Sequence, residues 1–136
     1  MEADEFEQIV VEEWANIPQH FTRRIENVAL LIEDEPNDAV REEEGLEDGH
    51  TLLGLYRGIP LTERGEGYGV GETLPDTITL YRFPILDESL ALDQSPSDAV
   101  RTIIRETLWH EVGHYFGLGE EAVEKREEEE TSRFEI

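Results

Sequence analysis

The sequence HEVGHYFGLGE, from His110 to Glu120, decides how the rest of the chain can be interpreted. If this stretch begins on a helix, His110 and His114 project from one face about one turn apart. Two neutral imidazole nitrogens at that spacing can bind a single zinc ion. Glu111 lies beside them, where its carboxylate can take a proton from a water molecule at the metal. The spacing therefore predicts a metal-binding helix that carries its own base.

The residues after His114 predict a third metal ligand. A helix cannot supply that ligand from the same side, so the chain must turn back toward the ion. Gly117 suits the left-handed backbone conformation that ends a helix and reverses the chain. Glu120 follows this turn by three residues and is the candidate for the third ligand. The fourth position then stays open for water, which is typical of a catalytic zinc site.

An ordinary structural interpretation competes with the metal site, because an HExxH motif alone is a weak pattern. In that alternative, one histidine is buried, the other lies on the surface and Glu111 is solvated. Glu111 could also pair with an arginine such as Arg57 or Arg82, as buried carboxylates do in ordinary cores. The helical context, the glycine and the carboxylate ten residues after His110 favour the metal site.

The sequence before the motif predicts where its helix begins. Ser95 is a suitable N-cap and Pro96 suits the first helical position. Residues at helical spacing then form one buried face, which consists of Val100, Ile103, Ile104, Thr107, Leu108, Val112 and Tyr115. Glu111 falls near the middle of this face, where a carboxylate is unfavourable unless it is paired, hydrated or protonated. Trp109 points to the opposite face, where we expect a terminal segment or the partner subunit of a homodimer to cover it.

Composition and charge exclude several classes of function. The chain has 136 residues, which suits a single domain over 1–136, and it has no cysteine, so a metal would be bound by nitrogen and oxygen. Its formal net charge of −23 argues against binding to nucleic acids or anionic membranes. No apolar run reaches the ~18 residues of a membrane span. The acidic N-terminus lacks the features of a secretory signal, so we expect a cytoplasmic protein.

Periodicity and turn residues predict the other elements. An amphipathic helix with its glutamates on the polar side is expected over 4–16, and Pro18 starts a short helical turn. Three strands are expected, over 28–32, 52–56 and 77–83, and Pro84 ends the last of them. The expected irregular segments are an exposed acidic loop over 33–50, a glycine-rich flap over 62–74, a loop over 87–94 and a frayed acidic tail over 127–136. A last acidic helix is expected from Glu120 to about Glu130.

Four segments, in this order, resemble a known family of proteins. They are Asn27–Asp34 (NVALLIED), Leu53–Arg64 (LGLYRGIPLTER), Leu74–Phe83 (LPDTITLYRF) and Thr107–Gly117 (TLWHEVGHYFG). Together they are similar to the small bacterial metallopeptidase-like proteins often called mini-zincins. The similarity covers roughly residues 5–125, and the LYRGIPLTER stretch is much more distinctive than the HExxH motif.

The resemblance implies an α+β zincin-like domain. Its small mixed sheet of three or four strands would pack against an N-terminal helix and the HExxH helix, and a short C-terminal helix would follow. The resemblance also implies a zinc ion bound by His110, His114 and Glu120, with Glu111 as general base. Because family members often have aspartate at the third ligand position, Glu121 and Glu124 remain alternatives to Glu120.

These observations predict a zinc-dependent metallopeptidase that acts on a peptide or protein substrate. The rival is a catalytically inactive zincin-fold protein that binds metal or docks a partner on its acidic surface, because fold and motif do not guarantee activity. An acidic calcium or magnesium buffer is disfavoured, since the sequence has no EF-hand spacing.

Overall fold

The order of helices and strands places the HExxH motif on the last helix described. The structure is a computed structural model that describes residues 1–22, 25, 28–58 and 76–116. Its elements are α1 (Ala3–Ala15), α2 (Gln19–Thr22), β1 (Val28–Glu33), α3 (Asp38–Glu43), β2 (Gly54–Arg57), β3 (Asp76–Tyr81), α4 (Arg82–Ser89) and α5 (Pro96–Tyr115). The predicted flap, the helix predicted from Glu120 to about Glu130 and the predicted acidic tail lie outside the described residues. No helix in the described ranges has the length and apolar character needed to cross a membrane.

The described strands form one mixed sheet in the order β1-β3-β2. β1 runs parallel to β3, with Val28 opposite Asp76. β2 runs antiparallel to β3, with Gly54 opposite Leu80, and the Tyr81 N–H extends this pairing with a 2.9 Å hydrogen bond to the carbonyl of Leu53. β3 is therefore the central strand, and β2 is an edge strand among the described residues. This sheet confirms the predicted α+β architecture.

Helix α5 packs against more of the described elements than any other helix does. It contacts α1, α4, β2 and β3. Every residue of its predicted apolar face is buried. The apolar core around it includes Phe6, Ile9, Val10, Ile17, Phe21, Ile78, Leu80 and Ile85. Since burial of apolar surface is the main favourable term in folding, the HExxH helix is also the structural centre of the domain.

The N-terminal end of α5 agrees with the sequence prediction. Ser95 caps the helix, because its hydroxyl accepts a hydrogen bond from the Asp98 N–H at 3.3 Å. The helix ends at Tyr115, one residue after His114. On its other face, Trp109 is buried edge-on against Phe21 of α2, with 5.1 Å between the ring centroids. A segment near the N-terminus therefore covers Trp109, and its burial requires no partner subunit.

The prediction of a loop over 33–50 is wrong for part of that segment, which contains α3. The side chain of Asn37 caps α3 by accepting a hydrogen bond from the Val40 N–H at 2.9 Å. Val40 is buried, so the helix is anchored to the protein despite its acidic surroundings. A capping residue and one buried apolar contact are enough to order a short helix that composition alone disfavours.

The prediction that Pro84 ends the third strand is also wrong. β3 ends earlier, at Tyr81, and Pro84 is the third residue of α4. Proline is compatible with this position, because the N–H groups of a first helical turn have no partner within the helix. α4 continues to Ser89 and so replaces the first part of the loop expected over 87–94.

One glutamate of α1 departs from the predicted amphipathic pattern. Glu13 lies on the buried side of the helix and is 1% exposed. Its carboxylate accepts hydrogen bonds from Arg101 at 3.1 Å and Arg105 at 2.6 Å, both on α5, and from the side-chain amide of Asn16 at 3.1 Å. A buried charge is tolerated when partners of this kind offset its lost hydration. Glu13 therefore fixes α1 to α5.

The adjacent Glu12 makes a more exposed contact with the same helix. An Arg101 nitrogen lies 2.8 Å from a Glu12 oxygen, and this hydrogen bond lowers the pKa of the Glu12 carboxyl. A carboxyl whose pKa is lowered by folding stabilises the protein above its unfolded pKa and loses that effect as the pH falls through the folded pKa. The contact thus favours the folded state at neutral pH and weakens on acidification.

Replacement of Glu13 by glutamine should destabilise the fold. The Glu13→Gln variant leaves two arginines facing a neutral group, so we expect a loss of about 2–3 kcal/mol in the free energy of unfolding. This is below the ~3–5 kcal/mol for fully buried pairs, because both guanidinium groups are partly exposed. Urea denaturation measures the change, and Glu12→Gln is the matched control with a much smaller expected loss. Equal effects of the two substitutions would contradict the role given to Glu13.

Candidate metal centre

Two imidazoles and a carboxylate lie together at the C-terminal end of α5. The potential ligand atoms of His110, Glu111 and His114 are within 4.8 Å of one another. The two histidine rings have their centroids 4.9 Å apart. Both histidines are partly exposed, whereas Glu111 is buried. The structure thus brings together the three residues of the HExxH motif, as the helical spacing predicts.

The donor set fits a divalent metal ion. Two nitrogens that bind one zinc ion at ~2.0–2.1 Å lie at most about 4.2 Å apart. One ligand atom of each histidine lies within 4.8 Å of the other, and rotation about the side-chain torsions of these partly exposed residues can change this separation. Neutral imidazole is also the side chain that most often binds metals in proteins. His110 and His114 can therefore provide two ligands from one helix face.

The predicted third ligand lies beyond the described residues. Gly117, Glu120, Glu121 and Glu124 all follow residue 116, the last residue described. Since α5 ends at Tyr115, the helix itself offers no ligand beyond His114. The assignment of the third ligand to Glu120 remains a prediction from the spacing and from the family resemblance.

Strand β2 holds the carboxylate of Glu111. The backbone N–H of Tyr56 donates a hydrogen bond to its Oε1 at 2.9 Å. This bond offsets part of the cost of burying a carboxylate and fixes the orientation of the side chain. The arginines considered as partners bind other acids, Arg57 to Glu43 and Arg82 to Asp34. The backbone amide of Tyr56 is thus one contact that orients Glu111.

Tyr56 is itself fixed by two further contacts. Its hydroxyl donates a hydrogen bond to Asp76 Oδ2 at 2.7 Å, and its ring lies edge-on to Tyr115 with 6.0 Å between centroids. Asp76 is buried at the start of β3. Tyr56 therefore links β3, β2 and α5 at the place where it meets Glu111. The only sequence signal for Tyr56 is its position in the distinctive LYRGIPLTER stretch.

A glycine allows β2 to approach α5 this closely. A Cβ atom at Gly54 would lie 2.7 Å from Cγ2 of Thr107, 3.1 Å from the carbonyl oxygen of Thr79 and 3.4 Å from Cγ of Glu111. Thr107 is held in place, since its hydroxyl donates a 2.7 Å hydrogen bond to the carbonyl of Ile103. Any side chain at position 54 would push the strand away from the helix.

A cavity of about 300 Å³ opens beside the cluster. It is lined by 51–54, which lead into β2, and by residues of α5 that include His110 and Glu111. Its volume is at the lower end of the ~300–1,000 Å³ that is typical of ligand pockets. Glu111 is therefore largely inaccessible to solvent, and yet it borders a space that a ligand can enter.

Tyr81, at the end of β3, adds no negative charge to this region. Burial raises the pKa of its hydroxyl, and the negative charge of Glu33 raises it further. A phenol ordinarily ionises near pH 10. With its pKa raised from that value, Tyr81 stays neutral at physiological pH.

Comparison with known proteins identifies the family. The model of the zincin-like metallopeptidase family matches residues 25–130, and the chain belongs to this family. A solved structure, described as a conserved hypothetical protein from Thermo thermophilus, is similar in fold. It has a TM-score of 0.53 and 23% sequence identity, and the match covers 92% of this chain and 99% of that one. Among curated proteins, none matches the sequence. Family membership confirms the resemblance drawn from the four sequence segments.

A methyl group at position 54 should separate β2 from α5. Because of the close contact with Thr107, we expect Gly54→Ala to lower the free energy of unfolding by about 1–3 kcal/mol, as overpacking does elsewhere. Urea denaturation measures this effect. The double variant Gly54→Ala, Thr107→Ser removes the clashing Cγ2 and keeps the hydroxyl, so it should regain part of the loss. A Gly54→Ala variant as stable as the wild-type protein would show that β2 and α5 are not in close contact at this position.

Proposed function

We propose that this protein is a zinc-dependent metallopeptidase that hydrolyses peptide bonds in short or extended peptides. The observation that carries the proposal is the environment of Glu111. This buried carboxylate lies between two potential metal ligands, accepts a hydrogen bond from Tyr56 and borders a cavity. A carboxylate with only a structural role would not require all three of these properties. Membership of the zincin-like metallopeptidase family supports the same reaction class.

The residues of the chain take separate roles in the proposed reaction. His110, His114 and Glu120 would hold the ion. When bound, zinc supplies a Lewis acid that polarises the scissile carbonyl and brings the pKa of a coordinated water to about 7. Glu111 takes the proton from the attacking water and gives it to the departing amine as the C–N bond breaks. The Tyr56 N–H keeps the Glu111 carboxylate in the orientation that both proton transfers require.

The edge that β2 forms among the described strands suggests how a peptide is held. β2 pairs with β3 on one side, and the cavity lies beside the residues that lead into β2. An extended peptide can add to a strand of this kind through main-chain hydrogen bonds, here to groups other than the Tyr56 N–H, which donates to Glu111. Such a peptide would lie beside both the cavity and Glu111. The peptide backbone would then be near the proposed metal.

Replacement of Glu111 by glutamine tests the proposed base. The amide oxygen of the substituted side chain can still accept the Tyr56 hydrogen bond, but the amide cannot carry a proton between water and amine. We therefore expect Glu111→Gln to keep its zinc and to lose about 10²–10⁴-fold in kcat, the usual contribution of general acid–base catalysis. Elemental analysis measures the metal, and cleavage of a peptide mixture, followed by mass spectrometry, measures turnover.

The same measurements separate the enzyme from an inactive zincin-fold protein. An active wild-type protein and an inactive, zinc-loaded variant support the peptidase. A zinc-loaded wild-type protein that cleaves no peptide would favour the inactive metal-binding or docking module. A Glu111→Gln variant with wild-type activity would exclude Glu111 as the base.

Substitution of the three candidate carboxylates tests the third ligand. We expect Glu120→Gln to weaken zinc binding by more than the ~10–100-fold that is usual for outer-shell partners. Glu121→Gln and Glu124→Gln are matched controls that change the net charge equally and should have little effect. Competition with a chromogenic chelator measures the affinities. A larger loss in either control would assign the ligand to that residue instead.

A further inference from the structure

Asp76 is a buried acid on the same face of the sheet as Tyr56. Tyr56 of β2 pairs with Ile78 of β3, and Asp76 precedes Ile78 by two positions. Side chains two positions apart in a strand point to the same face, and diagonal neighbours across two strands are within reach of a long side chain. Asp76 is 4% exposed, and its Oδ2 accepts the 2.7 Å hydrogen bond from the Tyr56 hydroxyl. An acid of the central strand β3 is therefore joined to the residue that contacts Glu111.

Gly58 leaves the space that the Asp76 side chain occupies. It directly follows β2 and has a φ of 153°, a conformation that residues with a side chain rarely adopt. A Cβ atom at this position would lie 2.7 Å from Cβ of Asp76 and closer still to its carboxyl group. The LYRG sequence of residues 55–58 thus provides both the hydroxyl that Asp76 binds and the space for its carboxylate.

Tyr56 connects Asp76 to Glu111 through its own covalent structure. Its hydroxyl donates to Asp76, and its backbone N–H donates to Glu111 Oε1 at 2.9 Å. Because a tyrosine side chain has only two rotatable bonds, fixing its hydroxyl restricts where its backbone can lie. β2 has four residues and is an edge among the described strands, so the sheet supports it from the side of β3. The position of the Tyr56 N–H therefore depends on the side chain as well as on the sheet.

We propose that Asp76 is a positioning residue for the reaction, because it fixes through Tyr56 the N–H that orients Glu111. The inference rests on the proposed peptidase function and adds to it a residue of β3 outside the HExxH motif. Asp76 acts through Tyr56 and takes no part in proton transfer, which belongs to Glu111. A supporting contact of this kind holds a reacting group within the narrow range of positions that catalysis requires.

Hydrogen exchange of the residue 56 amide, followed by NMR, tests the coupling without metal or substrate. Tyr56→Phe removes the hydroxyl and keeps both the ring and the N–H. We expect this amide to exchange about tenfold faster relative to the most protected amides of α5, the lower end of what a hydrogen bond to a charged group contributes. Tyr81→Phe is the matched control, because it removes a buried tyrosine hydroxyl on the other face of β3 and should leave that ratio unchanged.

A double-mutant cycle shows whether Asp76 is the partner responsible. Asp76→Ala should speed exchange of the residue 56 amide as Tyr56→Phe does, and Tyr56→Phe should add little in that background. The cycle cancels the effects of other contacts that either residue makes. Asp76→Asn keeps an acceptor oxygen and should have a smaller effect, and it takes the place of alanine in the cycle if that variant does not fold. Additive effects of the two substitutions would overturn the proposal, as would an exchange ratio that Tyr56→Phe leaves unchanged.

Kinetics of the zinc-loaded protein relate the coupling to the reaction and separate its failure from that of the proposed function. On a peptide that the wild-type protein cleaves, Tyr56→Phe should lower kcat about tenfold at unchanged KM, less than the ~10²-fold that a 1 Å misplacement can cost. Tyr81→Phe should keep the wild-type kcat. A wild-type kcat in Tyr56→Phe would overturn the positioning role and leave the peptidase function standing. If the wild-type protein cleaves no peptide but the exchange cycle shows coupling, the peptidase function fails and the link from Asp76 to the residue 56 amide stands.

Discussion

Strand β2 lies so close to helix α5 that only glycine fits at position 54, and the site depends on this contact. Two residues later, the Tyr56 N–H reaches the carboxylate of Glu111 and fixes a charge that would otherwise be unfavourable in a buried position. Tyr56 is in turn held by Asp76 and Tyr115. Glu111, the proposed base, is therefore oriented by the backbone of a strand, which is more rigid than an ion pair between two long side chains.

The same helix is fixed at its other end by a different kind of contact. Arg101 and Arg105 of α5 bind the buried carboxylate of Glu13, and the apolar face between the two ends packs against the core. Polar contacts at both ends set the position of α5, while apolar burial supplies most of the favourable free energy. A helix held in this way fixes the backbone at His110 and His114, which is what a metal site on a small domain would require.

Local signals in the sequence predict α5 and its motif, but they do not predict contacts between residues that are far apart in the chain. The cap at Ser95 and the buried face of α5 are as predicted, because both follow from residues a few positions apart. The partner of Glu111 is 55 residues away and that of Glu13 about 90 residues away, so periodicity gives no sign of either. Helix α3 was not predicted because its acidic composition suggested a loop, whereas an N-cap stabilises the helix. Helix α4 was not predicted because a proline was expected to end the strand, whereas the first turn of a helix accepts proline without losing a hydrogen bond.

Zinc-edge anomalous diffraction from crystals grown with zinc tests the central claim most directly. The account predicts a single strong peak that lies ~2.0–2.1 Å from one nitrogen of His110 and one of His114 and within bonding distance of a carboxylate oxygen between 120 and 124. Glu111 should stay outside the ligand set, with its hydrogen bond to Tyr56 intact. Zinc bound through only one of the two imidazoles, or two ions with one histidine each, would contradict the convergence of these side chains on one metal.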